Sequence, residues 1–412
     1  MKLDVQRRID RVAGAFICRI LSCFSTKRTG AIGKPNPQSI LVILLSEMGS
    51  LVLARAMFDR LKMRYPGASR YVLLFEQNRE VLELIGGVHP ENIISVRNSS
   101  LSKLLLDSIK VIRRLRRIGI DVVVDCELFS RVSSIFSFLS GAGIRVGFHP
   151  HTQEGLYRGD FINRPVLYNP YHHISHQFVN MVEAIESKKT PTVKMPVPAH
   201  ELRAPRMRVG EGEIKRLLKR FQTDFPEVRE NNLVLVYAGG GLLPLRAWPL
   251  DNFCTVAKSL IKKGYAVGLI GLEEDKNLAG RILAECNDKD CVDLTGYTRT
   301  IRELMIIFHF ASLLITNDGG PGHFAAMTPI PAIILYGPET PVLYGPLSPR
   351  SFSFYVPLSC SPCLTAFNHR NSPCDGDNLC LKSISPQEVL EKAYELLEGP
   401  DAPCYVAGDD WK

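Results

Sequence analysis

The sequence predicts an α/β protein built from two doubly wound, Rossmann-like halves, and three observations carry that prediction. From residue 38 onward, short β-branched runs alternate with longer amphipathic segments, the pattern of βα units around a parallel sheet. The alternation stops over residues 149 to 172, which are rich in His, Tyr, Pro and Gly, and it restarts at Leu233. A length of 412 residues suits two domains with extras, each large enough to bury a core. Composition agrees: 45% hydrophobic and 22% charged residues with no low-complexity stretch exclude disorder, a collagen-like fibre and a small disulfide scaffold.

Residues 1–34 form the first element, a basic tail. Eight Lys or Arg stand there against Asp4 and Asp10, so most of the formal charge of +8 sits in this segment and the rest of the chain is nearly neutral. A nucleic-acid partner is therefore not expected. Val5, Ile9, Val12, Phe16, Ile20 and Phe24 recur at three- and four-residue spacing, which reads as one apolar helix face for an anionic membrane surface. A plain packing helix and a targeting sequence are the alternatives. Arg19 and the lack of a clear small-x-small site argue against the latter. No apolar stretch reaches the about 20 residues of a spanning helix without Arg, Lys or Asp. Eleven Cys, an odd number and mostly scattered, fit a reducing cytosol.

The first domain is expected over 38–187. Its strand candidates are Ile40 to Leu45, Tyr71 to Phe75, Ile93 to Val96, Asp121 to Asp125 and Ile144 to Phe148. A helix over Leu51 to Arg64 is stopped by Tyr65-Pro66-Gly67, since Pro cannot continue a helix and Gly tolerates positive φ. A helix from about His173 to Glu186 leads into Lys188 to Arg208, whose four Pro mark the junction. The second domain, 188–400, offers Leu233 to Tyr237, Ala266 to Ile270, Cys291 to Leu294, Leu313 to Thr316 and Ala332 to Tyr336. Two such halves would present their ligand loops, at the carboxyl ends of the strands, to a shared cleft.

The loops then carry the chemistry. The first turn, Leu45 to Ser50, has a single Gly, Gly49; neither a dinucleotide fingerprint nor a P-loop is present. Thr316 to Ala326 is the strongest segment. There a strand meets a Gly-rich bend, with Gly319, Gly320 and Gly322, and then a helix start, a place suited to a diphosphate. Asp318 caps the turn or takes a ligand hydroxyl, and His323 can donate to phosphate. Gly239 and Gly240 expose backbone amides, Arg246 before a helix start can bind a leaving phosphate, and Glu273 after a strand can hold ribose hydroxyls.

ILVILLSEMGSLVLARAMFDRLKMRYPGA, LRAWPLDNF and above all TNDGGPGHFAAMTPIPAIILYGPETP resemble glycosyltransferase family 9, the ADP-heptose:lipopolysaccharide heptosyltransferases, across about residues 38 to 398. The resemblance implies a GT-B fold with the acceptor in the first domain and the nucleotide sugar in the second. It implies inversion at the anomeric carbon, no required cofactor, and transfer of a heptose or related sugar, ADP-linked, onto a lipopolysaccharide core or other lipid-linked glycan. The enzyme would lie in the cytoplasm, peripheral on the inner face of the cytoplasmic membrane. Arg246 would hold donor phosphate, Glu273 the ribose, and Asp318 to His323 the diphosphate.

One departure matters. Members usually carry Asp after the first-loop Gly, where it looks like the catalytic base, and here Ser50 stands there. A neutral hydroxyl is no base at pH 7. Glu127, with Arg131 to orient it or to grip an anionic acceptor, and Glu47 are the candidate replacements; with neither, the chain would be a non-catalytic sugar-nucleotide scaffold. His173 begins the interdomain helix as a hinge or acceptor contact. Finally Cys360, Cys363, Cys374 and Cys380 gather in one loop over 360–380, a spacing that can close a structural zinc site; a disulfide pair or unligated thiols are the alternatives.

Overall fold

The computed structural model describes residues 3–24, 36–128, 130–148, 157–187, 196–228, 232–365, 371–372, 374 and 377–399. The chain divides into two compact units, one ending at Arg203 and the other beginning at Ala204. In the first, β1 (Ser39–Ile43), β2 (Ser69–Phe75), β3 (Ile93–Val96), β4 (Val122–Asp125), β5 (Ile144–Phe148) and β6 (Arg164–Val166) pair in parallel in the order β3-β2-β1-β4-β5-β6. In the second, β7 (Leu233–Tyr237), β8 (Ala266–Gly271), β9 (Cys291–Thr295), β10 (Leu313–Asn317), β11 (Ala332–Tyr336) and β12 (Ser351–Tyr355) pair in the order β12-β11-β10-β7-β8-β9. Both are the doubly wound order, with the winding reversing between the first and fourth strands of each half.

Near-continuous apolar runs explain the burial. β1, β4, β10 and β11 are buried at every residue, as strands covered by helices on both faces must be. Leu41, Ile43 and Val123 pack against Val111, Leu115 and Phe136 in one core. Val234, Ile315 and Ile333 join Phe253, Val256 and Leu260 in the other.

All ten expected strands are present, and two edge strands, β6 and β12, are added. The helix expected over Leu51 to Arg64 is instead a pair, Met48–Leu53 and Arg55–Arg64, separated at Ala54, and the second ends at Tyr65 as the Pro-Gly stop requires. The domain boundary falls later than 187/188. Residues 196–203 stay with the first unit because Arg60 donates to both Glu183 and Glu201 at 2.5 Å and Val197 and Leu202 pack on Ala56 and Val179. The tail is helical through Leu3–Ile9, a π-turn at Asp10–Gly14, and Ala15–Cys23. Its other basic residues Lys2, Lys27, Arg28 and Lys34 lie outside the described residues. No helix among the described residues is long and apolar enough to cross a membrane.

Candidate active site

Four neighbouring strands, β11, β10, β7 and β8, bring the predicted donor loops to one sheet edge in the second unit. Gly239 and Gly240 follow β7, and neither could be larger: a Cβ on Gly239 would lie 2.8 Å from the Asp275 carboxylate, and one on Gly240 2.8 Å from the Leu243 carbonyl. Asn317, at the end of β10, ties this loop down. Its Nδ2 donates to the carbonyls of Ala238 (3.1 Å) and Gly239 (3.0 Å), while its Oδ1 accepts the Trp248 N–H at 3.0 Å. Trp248 is buried and donates its indole N–H to the Ile384 carbonyl. Arg246, in the turn Pro244–Arg246, is thereby fixed close to the sheet.

Arg246 faces two carboxylates. Its Nη2 donates to Glu339 Oε2 at 2.6 Å and its Nε lies 3.6 Å from Asp318 Oδ2. Glu339, which follows β11, had no sequence signal beyond its place in a loop at the same edge. Burial pushes its carboxyl up to about 8, with Arg246 opposing the shift and the charge and hydrogen bonding of Asp318 adding to it. Glu339 is thus held toward its neutral form, which leaves the Arg246 guanidinium less neutralised than two charged carboxylates would. Asp318 and His323 are buried at 6% exposure each, around Gly319, Gly320 and Gly322. The helix expected after this bend is only Gly320–Ala325, under two turns, so its dipole is small and Arg246 is the main positive charge here. Glu273, at the end of β8, is exposed and paired with Lys276 at 2.5 Å.

The Cys-rich loop reaches this site through Asn378, a residue that the sequence reading passed over. In the left-handed conformation (φ 57°), tolerated by Asn, it donates Nδ2 to the carbonyls of Leu245 (3.1 Å) and Ala247 (3.4 Å), on either side of Arg246. Its backbone N–H donates to Cys374 Sγ at 3.0 Å, and Cys380 Sγ donates to its Oδ1 at 3.6 Å. The thiols share one neighbourhood: burial raises the Cys380 thiol, and Cys363, Cys374 and Cys360 add to the rise. Yet among the described residues no three His, Cys, Asp or Glu side chains are grouped to hold a metal ion. Of Cys360, Cys363, Cys374 and Cys380, the four that could hold a structural zinc, Cys374 and Cys380 turn to Asn378 and Cys360 is exposed.

In the first unit the expected acceptor-side residues follow β1 and β4. Glu127 is buried and engaged: its Oε1 accepts the N–H groups of Leu45 (2.6 Å) and Ser46 (3.2 Å), and the Ser46 hydroxyl reaches both of its oxygens. Burial and then the charge of Asp125 raise its carboxyl, while the two N–H donors oppose the rise. Below it Asp125 pairs with Arg158, both buried, and Arg158 Nε donates to the Ser130 carbonyl at 2.9 Å. Arg131 does not orient Glu127. It opens the helix Arg131–Leu139, and its guanidinium faces the Tyr157 carbonyl (2.9 Å) and Asp10 (3.5 Å). Glu47 is different: it is half-buried in the loop after β1, and Ser50 Oγ donates to its Oε2 at 2.9 Å. Gly49 lies between them in the first turn of Met48–Leu53. His173 caps the helix Ile174–Ala184, its Nδ1 accepting the Ser175 N–H at 3.3 Å.

A profile described as glycosyltransferase family 9 (heptosyltransferase) matches residues 108–371, more than half of the chain. The chain belongs to that family. It is therefore a glycosyltransferase, and among curated family 9 relatives it is 26% identical to lipopolysaccharide heptosyltransferase 2 of Salmonella typhimurium strain LT2, over 87% of this chain and 98% of that protein. Of solved family 9 structures, the ADP-heptose lipopolysaccharide heptosyltransferase II of E. coli superposes with a TM-score of 0.68 at 24% identity, covering 88% of this chain and all (100%) of that one. E. coli heptosyltransferase WaaC, solved with ADP, gives 0.60 at 15% identity over 87% and 99%. The α/β, GT-B-type fold class expected from the sequence is that of these structures.

Proposed function

We propose that the chain transfers a heptose from an ADP-linked donor onto a lipopolysaccharide core or related lipid-linked glycan, with inversion at the anomeric carbon and no required metal. The observation that carries this reading is Arg246 held against Asp318 and Glu339 at the Gly-rich edge of β7, β10 and β11. Relatives named as lipopolysaccharide heptosyltransferases along nearly their whole length, one of them solved with ADP, support the choice of sugar and nucleotide.

In this mechanism the donor diphosphate lies on Arg246, on the Gly239–Gly240 loop and on the Asp318 to His323 bend, with Gly319, Gly320 and Gly322 allowing close approach. Glu273 takes the ribose hydroxyls. An acceptor hydroxyl attacks the anomeric carbon as the bond to the diphosphate breaks, and Arg246 stabilises the charge that develops on the leaving oxygen. Glu47 removes the hydroxyl proton, oriented by Ser50. Glu127 is a positioning residue, because its carboxylate already holds the loop that carries Glu47. The scaffold alternative rested on Ser50 alone, and a carboxylate 2.9 Å from that hydroxyl disfavours it. The donor is soluble and the acceptor lipid-held, so transfer occurs in the cytoplasm at the inner face of the cytoplasmic membrane.

Calorimetric titration with ADP, UDP and GDP tests the donor site. ADP should bind tightest, and Arg246→Ala should weaken it at least about tenfold, the loss of roughly one charge-assisted hydrogen bond, in a variant whose circular dichroism matches the parent. Absence of binding by all three in folded protein would overturn the assignment.

A further inference from the structure

The tail helix turns its polar side to the protein and its apolar side away from it. Asp10, Gly14, Cys18 and Ser22, four residues apart, form the inward stripe. Asp10 Oδ1 accepts the N–H groups of Arg131 (2.9 Å) and Val132 (3.0 Å), the first donors of the helix Arg131–Leu139 that lack a partner within it. Contact at Gly14 is close enough that a Cβ there would stand 2.9 Å from Arg131 Cβ. Cys18 is fully buried. Ser22 Oγ accepts the Asp160 N–H at 2.9 Å and lies 3.1 Å from the Tyr157 hydroxyl.

The outward side carries large apolar groups: Val12, Phe16 and Phe24 are 66%, 64% and 73% exposed, and Val5, Ile17 and Ile20 are exposed beside them. Arg8, Arg11 and Arg19 are exposed on the same helix, while Asp10 is turned inward against Arg131. A helix serving only to pack would face the other way, since burying Phe16 and Phe24 is more favourable than burying Ser22. An apolar strip flanked by arginines fits a surface that is itself apolar and anionic. A second copy of this chain fits it poorly, because a two-fold pairing of the strip would set arginines against arginines.

We propose that Val5, Val12, Phe16, Ile20 and Phe24 insert at the headgroup boundary of an anionic bilayer, with Arg8, Arg11 and Arg19 against the headgroups, and that Asp10 fastens this anchor to the first unit. The inference rests on the reading of a lipid-held acceptor and names the surface that meets the lipid. The carboxylate of Asp10 caps the helix that follows the Glu127 loop, so the anchor is tied to the same half that carries Glu47 and is not a loose tether.

Co-sedimentation of the full chain with phosphatidylcholine vesicles, with and without phosphatidylglycerol, tests it. The chain should bind the anionic vesicles and release with salt. Phe16→Glu with Phe24→Glu should weaken that binding at least about tenfold, and Arg11→Gln with Arg19→Gln should remove the preference for phosphatidylglycerol. ADP affinity should stay unchanged in both pairs, which separates failure of the anchor from failure of the donor site. The proposal is overturned if the parent ignores vesicles, if the Phe substitutions leave binding intact, or if the parent is a dimer that those substitutions split.

Discussion

The two halves solve one topological problem with opposite chemistry. Where the winding reverses, two loops lie side by side beyond the sheet and leave backbone groups that no ladder bond satisfies. In the first unit the loop after β1 presents N–H groups, and a carboxylate, Glu127, accepts them. In the second the loop after β7 presents carbonyls, and a carboxamide, Asn317, donates to them. A carboxylate at a ligand edge is thus no sign of proton transfer until its partners are known. Glu127 has a structural task, and Glu47, half-buried with the Ser50 hydroxyl on its Oε2, is the proposed base.

The largest effect expected from this contrast is on turnover. Glu47→Gln should lower kcat by about 10²- to 10⁴-fold, the usual weight of a general base, with ADP affinity unchanged by calorimetry. Glu127→Gln should stay within about tenfold, because an amide oxygen still accepts the Leu45 and Ser46 N–H groups. Equal losses in the two variants would erase the distinction. Next comes Asn317→Asp, which replaces a donor by an acceptor against the Ala238 and Gly239 carbonyls. It should cost about 2–4 kcal/mol in a denaturant melt, the price of two buried groups left unpaired, whereas Glu127→Gln should cost under about 1.5 kcal/mol.

The smallest effect is on pH dependence. The Glu339 carboxyl is raised from an ordinary 4.5 to about 8, so the folded state favours its neutral form. Its contribution to stability is full below about 4.5 and declines as pH rises through about 8. ADP affinity should fall over the same rise, since ionised Glu339 competes with phosphate for Arg246. Glu339→Gln should flatten both profiles; a parent profile already flat between 5 and about 8.5 would remove Glu339 from the donor site.

Much of this was legible in the sequence, and the omissions have physical causes. Strands such as Leu233–Tyr237 and Ala332–Tyr336 announce themselves because a doubly covered parallel strand must be continuously apolar. β6, with Pro165, and β12, Ser351–Tyr355, lie at sheet edges where that demand lapses. Gly239, Gly240 and Arg246 were readable because a Gly run and an Arg before a helix start follow directly on a plainly apolar strand. Asn378 was not, since it acts on carbonyls more than a hundred residues away and depends on a left-handed backbone no pattern encodes. The tail's apolar periodicity was legible, with a membrane-facing and a packing helix both open, but the contact that fixes its orientation was not. That contact is Asp10 meeting the start of a distant helix.

The shared strand order also governs when each site comes into being. In both sheets the pairing at the reversal point, Ile43 with Asp125 and Leu313 with Val234, joins the partners farthest apart along the chain. Every other strand pair is closer in sequence and closes a shorter loop. A growing chain can therefore complete β1 to β3, or β7 to β9, long before the fourth strand arrives to place Glu127 or Asn317. The ligand edge of the second unit is complete only once β10 and then β11 have docked beside β7, so nucleotide binding reports the closing of that long-range pairing.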